Sequence, residues 1–569
     1  MGDNERGLRY WRSQRLTRRR LLGSAAVGAA GVAAIGLVGC SSKKSNPTET
    51  TTAKPTQPAG KVNDGTQDGP GKPGGTMHLR QTGPLPSMKP FGPSILALAQ
   101  GLVLGFTAFD HMWYVPTDTG VMELFLATKV EQPDPLTVIA TIGDAVFHDK
   151  KPVNGRKVVA EDIAASFKRF RDEIPFGYDW HHNVMDDIVA VDDHTVKITQ
   201  KFPWAWVFTS SNAGNPWTSS ILPKEILHDD DLMAKDAIGS GAWVLDSHDN
   251  GANIQWKKFQ NFRNKSRPLL DAMDWRSITD DVAGLAAFKA GQIDAFGFNN
   301  KTDADDTRKA LGDKINVTSD LQRNYMCLML KYEPPFTDER VRHAINLLID
   351  RDEVMQLLVE GSGVKSGPLP PAHKKYVLPD DDKDLQEYFR HDVADAKKLL
   401  DAASFNYDQE IELKHSTRAG DAQLSQILKA QLARGGVKVN LAPEDLVKWF
   451  SQSLGQSNFH MTAFEHLAYE DPDLPLRFFL GAEGDRKNFM QYKDPKVDEA
   501  VLAAAKELDE TARIEKVRNA QRVIIQQWAP MLNIYSEIGF GARYNYVKGA
   551  ITGRGSLGAF NQTTWLDKS

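Results

Sequence analysis

Few residues in this 569-residue chain have the types and spacing that chemistry needs. The adjacent pair His181-His182 is the nearest approach to a metal cluster. Neighbouring residues on regular structure point apart and no cysteine stands near, so the pair reads as surface imidazoles and no metal is expected. Gly553-Arg554-Gly555-Ser556-Leu557-Gly558 has the glycine spacing of a dinucleotide turn, but only eleven residues follow it. That is too short for the helix and second strand such a site requires. No Gly-x-Ser-x-Gly elbow and no His-Glu-x-x-His helix occurs, which removes the two simplest hydrolase patterns. No residue is put forward as catalytic, and no cofactor is expected. The two cysteines, Cys40 and Cys327, cannot build a disulfide framework. Cys327 sits in the apolar run from Tyr325 to Leu330, as a buried small hydrophobe would.

Cys40 has chemistry of another kind. Residues 1–39 hold seven Arg against Asp3 and Glu5, and Arg18-Arg19-Arg20 lead into an uncharged run from Leu21 to Val38. The run ends in Leu37-Val38-Gly39-Cys40, with a small residue before the cysteine. Basic start, short apolar run and this ending together resemble an export signal closed by a bacterial lipobox. Cys40 would then be acylated and become the mature N terminus, and Arg18-Arg19 resembles a twin-arginine signal. The alternative is an uncleaved span, because eighteen uncharged residues reach the lower limit for crossing a bilayer. Either way the body is expected on the extracytoplasmic face of a bacterial membrane, in the periplasm or at the cell surface. Residues 41–73 are rich in Ser, Thr, Lys, Pro and Gly, with Val62 almost the only large apolar side chain. Such a segment cannot bury enough surface to order itself and reads as a flexible spacer.

The whole chain carries a net charge of -5, and the leader's local +5 leaves the body near -10. A nucleic-acid partner needs a basic stripe to neutralise phosphates, and none is present outside the leader. With 41% hydrophobic and 25% charged residues the composition is that of a water-facing globular protein. The length exceeds what one core usually supports, so two or more lobes are expected.

The elements that would position a site follow an alternating pattern. Residues 188–191 and 195–199 flank the polar turn Asp192-Asp193-His194 as a hairpin would. Ile163, Phe167 and Phe170 recur at helical spacing behind Glu161 and Asp162, acids that suit a helix N terminus. Residues 410–415, the stripe Leu424, Ile427, Leu428, Leu432, the stop Gly435-Gly436 and residues 437–441 compose a βαβ unit, which implies a parallel pair. A helix over 285–289, Gly291 and a strand over 293–296 give a second junction of this kind. Thr337 could cap a helix whose apolar face is Val341, Ala344, Ile345 and Leu348, with Arg340 and Arg342 flanking as structural or solvated cations. Seven of the eleven tryptophans beyond the leader fall between Trp180 and Trp275. They read chiefly as core, with stacking planes for a ligand as the alternative. Trp204 and Trp206 are expected on one face of a strand.

Several segments, in order, resemble extracellular solute-binding protein family 5, the peptide- and nickel-type receptors of ABC importers. They are Gly74-Gly75-Thr76, Leu136-Thr137, Phe147-His148-Asp149, Ala160-Glu161-Asp162-Ile163 with Ser166 and Arg169, Val191-Asp192-Asp193, Ile221-Leu222-Pro223-Lys224-Glu225, Ile238-Gly239-Ser240-Gly241-Ala242-Trp243, Gly291-Gln292-Ile293-Asp294-Ala295, and Pro335-Phe336 through Asp338, Arg340, Val341, Arg342, Ala344 to Ile349-Asp350-Arg351. The resemblance covers roughly residues 74–550. It implies an α/β, type II periplasmic-binding-protein fold of two lobes and a hinge. One lobe would take residues 74–325 and 530–569, with an inserted subdomain near 110–215, and the other 326–529. The strands near 325–330 and 529–535 would cross between them.

By the same resemblance a solute is held between the lobes and passed to an ABC permease with its ATPase subunits, with no bond made or broken. A monomer is expected. Peptide-binding members carry a Trp-x-x-Asp-Tyr-x-Asp-Pro segment whose aspartate pairs with the peptide amine. Here the stretch reads Glu465-His466-Leu467-Ala468-Tyr469-Glu470-Asp471-Pro472, with alanine in place of that aspartate and glutamate in place of the tryptophan. An ammonium in a closed cleft still needs a charge partner, and Glu465 or Glu470 could serve. The candidate ligand-binding residues are Tyr325, Phe464, Glu465, His466, Tyr469 and Glu470, for a peptide-like or other small solute; a nickel chelate stays open by the likeness alone. A surface-anchored hydrolase, or a sensory or adhesive protein on the same fold, are the alternatives.

Overall fold

The computed structural model describes residues 69–82, 85, 87–90, 104–114, 122–173, 180–209, 213–214, 219–249, 253–466, 471–481, 488–550 and 562–568. Arg18, Arg19, Cys40, the spacer before residue 69, Tyr469, Glu470 and the run Gly553–Gly558 lie outside them. Everything below concerns the unit Gln57–Ser569. Among the described residues no helix is long and apolar enough to cross a membrane.

The N-terminal half builds two four-stranded sheets. β1 (Thr76–Gln81) is the edge of one. β2 (Ala127–Asp134), β3 (Thr137–Ile142), β4 (Met185–Ala190) and β5 (Thr195–Gln200) form the other in the order β2-β3-β5-β4. β4 and β5 are the hairpin expected around Asp192-Asp193. Helix α1 (Ala160–Glu173) lies against it and buries Ile163, Phe167 and Phe170 completely. Each such side chain contributes about 2 kcal/mol. β6 (Trp243–Asp249), β7 (Asn253–Lys258) and β8 (Ala272–Ser277) complete the first sheet, order β1-β8-β7-β6, in which β1 and β8 run parallel.

Two of the sequence segments named above meet between these sheets. The Gly239 N–H donates to Nδ1 of His148, and the other ring nitrogen of His148 lies 3.1 Å from the Gly241 carbonyl oxygen. A Cβ on Gly239 would stand 2.1 Å from the Ala108 carbonyl oxygen, and one on Gly241 2.6 Å from that of Thr107. Glycine is required there by space. Asp162, at the start of α1, is buried and takes both guanidinium nitrogens of Arg156, which also grips Glu225.

Helix α2 (Asp281–Lys289), capped by Asp280, leads into β9 (Ala295–Phe298); α3 (Lys301–Leu311), capped by Asn300, leads into β10 (Ile315–Leu321) and β11 (Tyr325–Leu330). Helices α4 (Glu339–Leu348) and α5 (Arg351–Val359) precede the short β12 (Gly363–Lys365). The βαβ unit is β13 (Glu410–Ser416), α6 (Ala419–Arg434) and β14 (Lys438–Glu444), parallel as expected, with Gly436 in the left-handed region at φ 87° after the helix. β15 (Met461–His466) and the long β16 (Met531–Tyr544) finish the sheet in the order β9-β16-β11-β15-β13-β14, with β10 and β12 also on β16. One end of β16 pairs with β9 and β10, the other with β11 and β12.

β11 feeds two cores by alternation. Tyr325, Cys327 and Met329 join the core that includes the N-terminal sheets, while Leu328 and Leu330 join the core under α4, α5 and α6. Strand period two therefore divides a single strand between two packed faces.

Three expectations are corrected. His181 is fully buried among Phe167, Phe170 and Trp180, not at the surface. Apolar packing from α1 outweighs the polarity of its ring. Trp204 and Trp206 lie in a turn rather than a strand; Trp204 donates to Asp473 and Trp206 packs edge-on against Tyr376. The alternation of residue types there came from two separate core contacts. The cap of α4 is Asp338, whose carboxylate accepts from the Arg340 N–H, not Thr337. The charged acceptor one residue later is the stronger cap. Trp180, Trp204, Trp206, Trp243, Trp256 and Trp275 are buried, as core residues are, and Trp217 lies outside the described residues. Arg340 pairs with Asp338 at the surface, and Arg342 is buried with its guanidinium on main-chain carbonyls.

Candidate functional site

Parallel strands β13 and β15 end at the same edge of the sheet, where β11 begins and where β16 leaves its pairing with β11. The carboxyl edge of such a sheet is where ligands of α/β proteins bind, because chain reversals there leave side chains and main chain free to converge. The register sets which residues share a face. Met326 is opposite Glu465 on one side and opposite Tyr535 on the other. Glu537 follows Tyr535 by two and is opposite Gly363. Glu465, Met326, Tyr535 and Glu537 thus lie on the face toward α5 and α6.

The remaining candidates fall on the opposite face. Tyr325 and His466 are opposed in register and their rings stack at 5.1 Å. Phe464 packs against Trp449 at 4.9 Å and against His466 at 5.6 Å. Phe478 meets His466 edge-on at 4.2 Å. Tyr325, Phe464 and His466 are brought together as one buried aromatic column. Glu465, one residue from His466, points the other way, and Tyr469 and Glu470 lie outside the described residues.

Glu465 is held in place from both sides. The Asn324 amide donates to one of its oxygens at 3.1 Å, and Arg418, at the head of α6, donates to the other at 3.0 Å. Its own main-chain N–H donates to Asp421 at 3.2 Å, and Asp421 also accepts from the Ser416 hydroxyl. Burial raises the Asp421 carboxyl above its usual range, with Ser416 and Arg418 pulling it back.

Glu537 has no such support: among the described residues no cation or hydrogen-bond donor reaches its carboxyl group. Burial first, and the charge of Glu465 second, push it up to about 7. Tyr535 is 1% exposed and its hydroxyl makes no hydrogen bond. Burial, then Glu537, then Glu465 raise that hydroxyl as well. Lys365, opposite Tyr535 on β12, is tied to Asp352 at 2.8 Å. The face therefore carries the carboxyl groups of Glu465, Asp421 and Glu537, with Arg418 committed to Glu465 and Lys365 to Asp352.

Tyr535, Glu537, Asn324, Arg418 and Asp421 escaped sequence reasoning. One signal was present: Glu537 is an acid inside the otherwise uncharged run from Met531 to Phe540. A half-buried acid in a largely apolar strand calls for a partner.

Among the described residues no group of three or more His, Cys, Asp or Glu could hold a metal ion. Residues 122–487 match the family described as bacterial extracellular solute-binding proteins, family 5 Middle. The chain is 25% identical over 414 residues to the probable di/tripeptide-binding protein 5 of Pseudomonas aeruginosa, across 66% of this chain and 74% of that one. In structure it is similar to the periplasmic binding protein DppA of Helicobacter pylori in complex with the peptide STSA, with a TM-score of 0.73, 22% identity, 87% of this chain and 99% of that chain covered. It is equally similar to the binding protein AgaA of A.tumefacien R10 in complex with agropinic acid, again with a TM-score of 0.73, 22% identity and coverage of 87% and 99%. These likenesses show the fold to be that of type II periplasmic binding proteins.

Proposed function

Because this chain belongs to the bacterial extracellular solute-binding proteins of family 5, we propose that it is the substrate receptor of an ABC importer, taking a small, peptide-like solute and delivering it to a permease with ATPase subunits. The observation that carries this reading is the edge at which β11, β13, β15 and β16 present an aromatic column on one face and a row of carboxyl groups on the other, with β11 shared by both cores. The di/tripeptide-binding relative and the peptide-bound DppA support a peptide; AgaA, holding agropinic acid, shows that the same fold accepts other solutes.

The lobes are residues 74–325 with 530–569, carrying an inserted subdomain near 110–215, and residues 326–529. β16 and the strand Tyr325–Leu330 are the crossings about which they close. Residues 1–39 act as the export signal with Arg18 and Arg19, Cys40 carries the lipid, and residues 40–73 tether the body to the extracytoplasmic face. The receptor works as a monomer and performs no chemistry on its cargo.

The reading is tested by denaturing freshly purified protein and identifying the released small molecules by mass spectrometry. Titration of those molecules back onto stripped protein should then raise its melting temperature in proportion to the logarithm of ligand concentration over Kd. Well-folded protein that releases nothing, and whose melting is unmoved by any solute in a broad panel, would overturn it.

A further inference from the structure

We propose that the turn over residues 202–208 is a latch between the two lobes. Trp204 and Trp206 hold the receptor shut, and so set how tightly it keeps its cargo and how fast it lets go, without touching that cargo. The inference rests on the receptor reading and its lobe boundaries, and it names two positioning residues.

The turn follows the end of β5 and is rooted in the first lobe. The Trp113 indole donates to the Phe208 carbonyl oxygen at 3.1 Å, and the Ala213 N–H donates to that of Val207 at 3.1 Å. Its tip is seated in the second lobe. The Ala205 N–H donates at 2.8 Å to the Ala505 carbonyl oxygen, at the end of the helix Pro495–Lys506, where the last carbonyls have no partner within the helix. Trp204 donates to Asp473 at 3.2 Å, and Arg477, the ion partner of Asp473, lies 5.8 Å over its ring. Trp206 meets Tyr376 edge-on at 5.5 Å, with Arg513 4.8 Å from its ring, and Lys506 stands 4.9 Å over Phe202. Trp204 is 2% exposed and Trp206 4%, which leaves neither ring a surface for a ligand.

The contact has the chemistry of a joint that parts. Three cations face three rings, in place of the aliphatic packing inside each lobe, and cations and indoles both regain water on separation. With the lobes joined through β11 and β16, rotation about those strands must draw the turn out of its seat and expose both tryptophans. The seat therefore biases the equilibrium toward the shut form, and apparent affinity scales with the fraction that is shut. It also stands beside the site, since Phe478, next to Arg477 in the chain, packs on His466 at 4.2 Å.

The test uses the full chain, stripped of cargo, and a pooled mixture of a casein digest, free amino acids and neutral oligosaccharides, from which retained molecules are identified by mass spectrometry. Trp204→Ala should weaken binding of the retained molecule by about tenfold, chiefly through faster release. Trp204→Phe, which keeps a ring under Arg477, should recover most of that loss. The second variant pairs Ala205→Cys with Ala505→Cys, whose main chains already meet at 2.8 Å and so lie within reach of a disulfide. Oxidised while empty, it should load at least about a hundredfold more slowly than wild type; oxidised after loading, it should release as slowly, and reduction should restore both rates. This arm reads rates in folded protein, so loss of folding cannot imitate it. Loading and release at wild-type rates in the cross-linked variant overturn the latch and leave the receptor reading standing. Wild-type affinity in Trp204→Ala, or two cysteines that never cross-link, overturns it too. Retention of nothing by wild-type protein overturns both.

Discussion

Tyr325 and His466 hold opposed positions on β11 and β15, and their rings lie 5.1 Å apart with planes 12° from parallel. Stacked pairs of this kind contribute about 1 kcal/mol beyond the area they bury. A double-mutant cycle on Tyr325→Leu and His466→Leu, read by urea denaturation, should show a coupling of about 1 kcal/mol. Strict additivity would mean that the column is held by its neighbours, Phe478 and Trp449, and not by this pair.

Glu537 makes the unliganded protein sensitive to pH. Its carboxyl is pushed by burial, and then by Glu465, from 4.5 to about 7. An acid raised in the folded state binds its proton more tightly there than when unfolded, so its stabilising contribution is complete below pH 4.5 and is lost as pH rises through 7. The charged and titratable groups facing it are Glu465 with Arg418, Tyr535 on its own strand, and Lys365 held by Asp352. Stability should fall by up to about 3 kcal/mol over that window, and Glu537→Gln should flatten the fall. An identical slope in the variant, measured by chemical denaturation at pH 4.5 and 7.5, would place the titration elsewhere.

Two glycines of similar appearance should behave in opposite ways. A Cβ on Gly239 would sit 2.1 Å from the Ala108 carbonyl oxygen, whereas one on Gly297 would meet nothing within 4 Å. Main-chain atoms cannot step aside as a flexible side chain can. Gly239→Ala should therefore lower stability by more than about 4 kcal/mol or abolish folding. Gly297→Ala in β9 should be neutral or stabilise by about 0.5 kcal/mol, through the lower entropy of the unfolded chain. Thermal melts of the purified variants decide it.

The tether is tested at Cys40. Cys40→Ser should prevent acylation and move the protein from the membrane fraction to the soluble fraction after export. Membrane retention of the variant would point instead to an uncleaved span over Leu21–Val38.

Local patterns reached far into the fold. The helix at Ile163, Phe167 and Phe170, the hairpin around Asp192-Asp193 and the βαβ unit closed by Gly435-Gly436 each arise from a period or a breaker within some thirty residues, and each is where the pattern placed it. The order of the family segments carried the architecture, because chain order constrains which elements can neighbour one another. Trp204 and Trp206 show the limit: a spacing of two was produced by contacts to Asp473 and Tyr376, residues remote in the chain.

The site divides along the same line. Tyr325, Phe464, Glu465 and His466 stood out as candidates from the order of residues, and Cys40 with Arg18 and Arg19 as expectations from local composition, since each rests on a short string. Which face each side chain takes could not. That depends on the register of β11 against β15 and β16, and a shift of one residue would exchange the aromatic column with the carboxyl row. Glu537 shares a face with Glu465, 72 positions earlier in the chain, only because β15 and β16 are both paired to β11. Burial and charge at that meeting point are properties of three-dimensional packing, and no local pattern of residues encodes them.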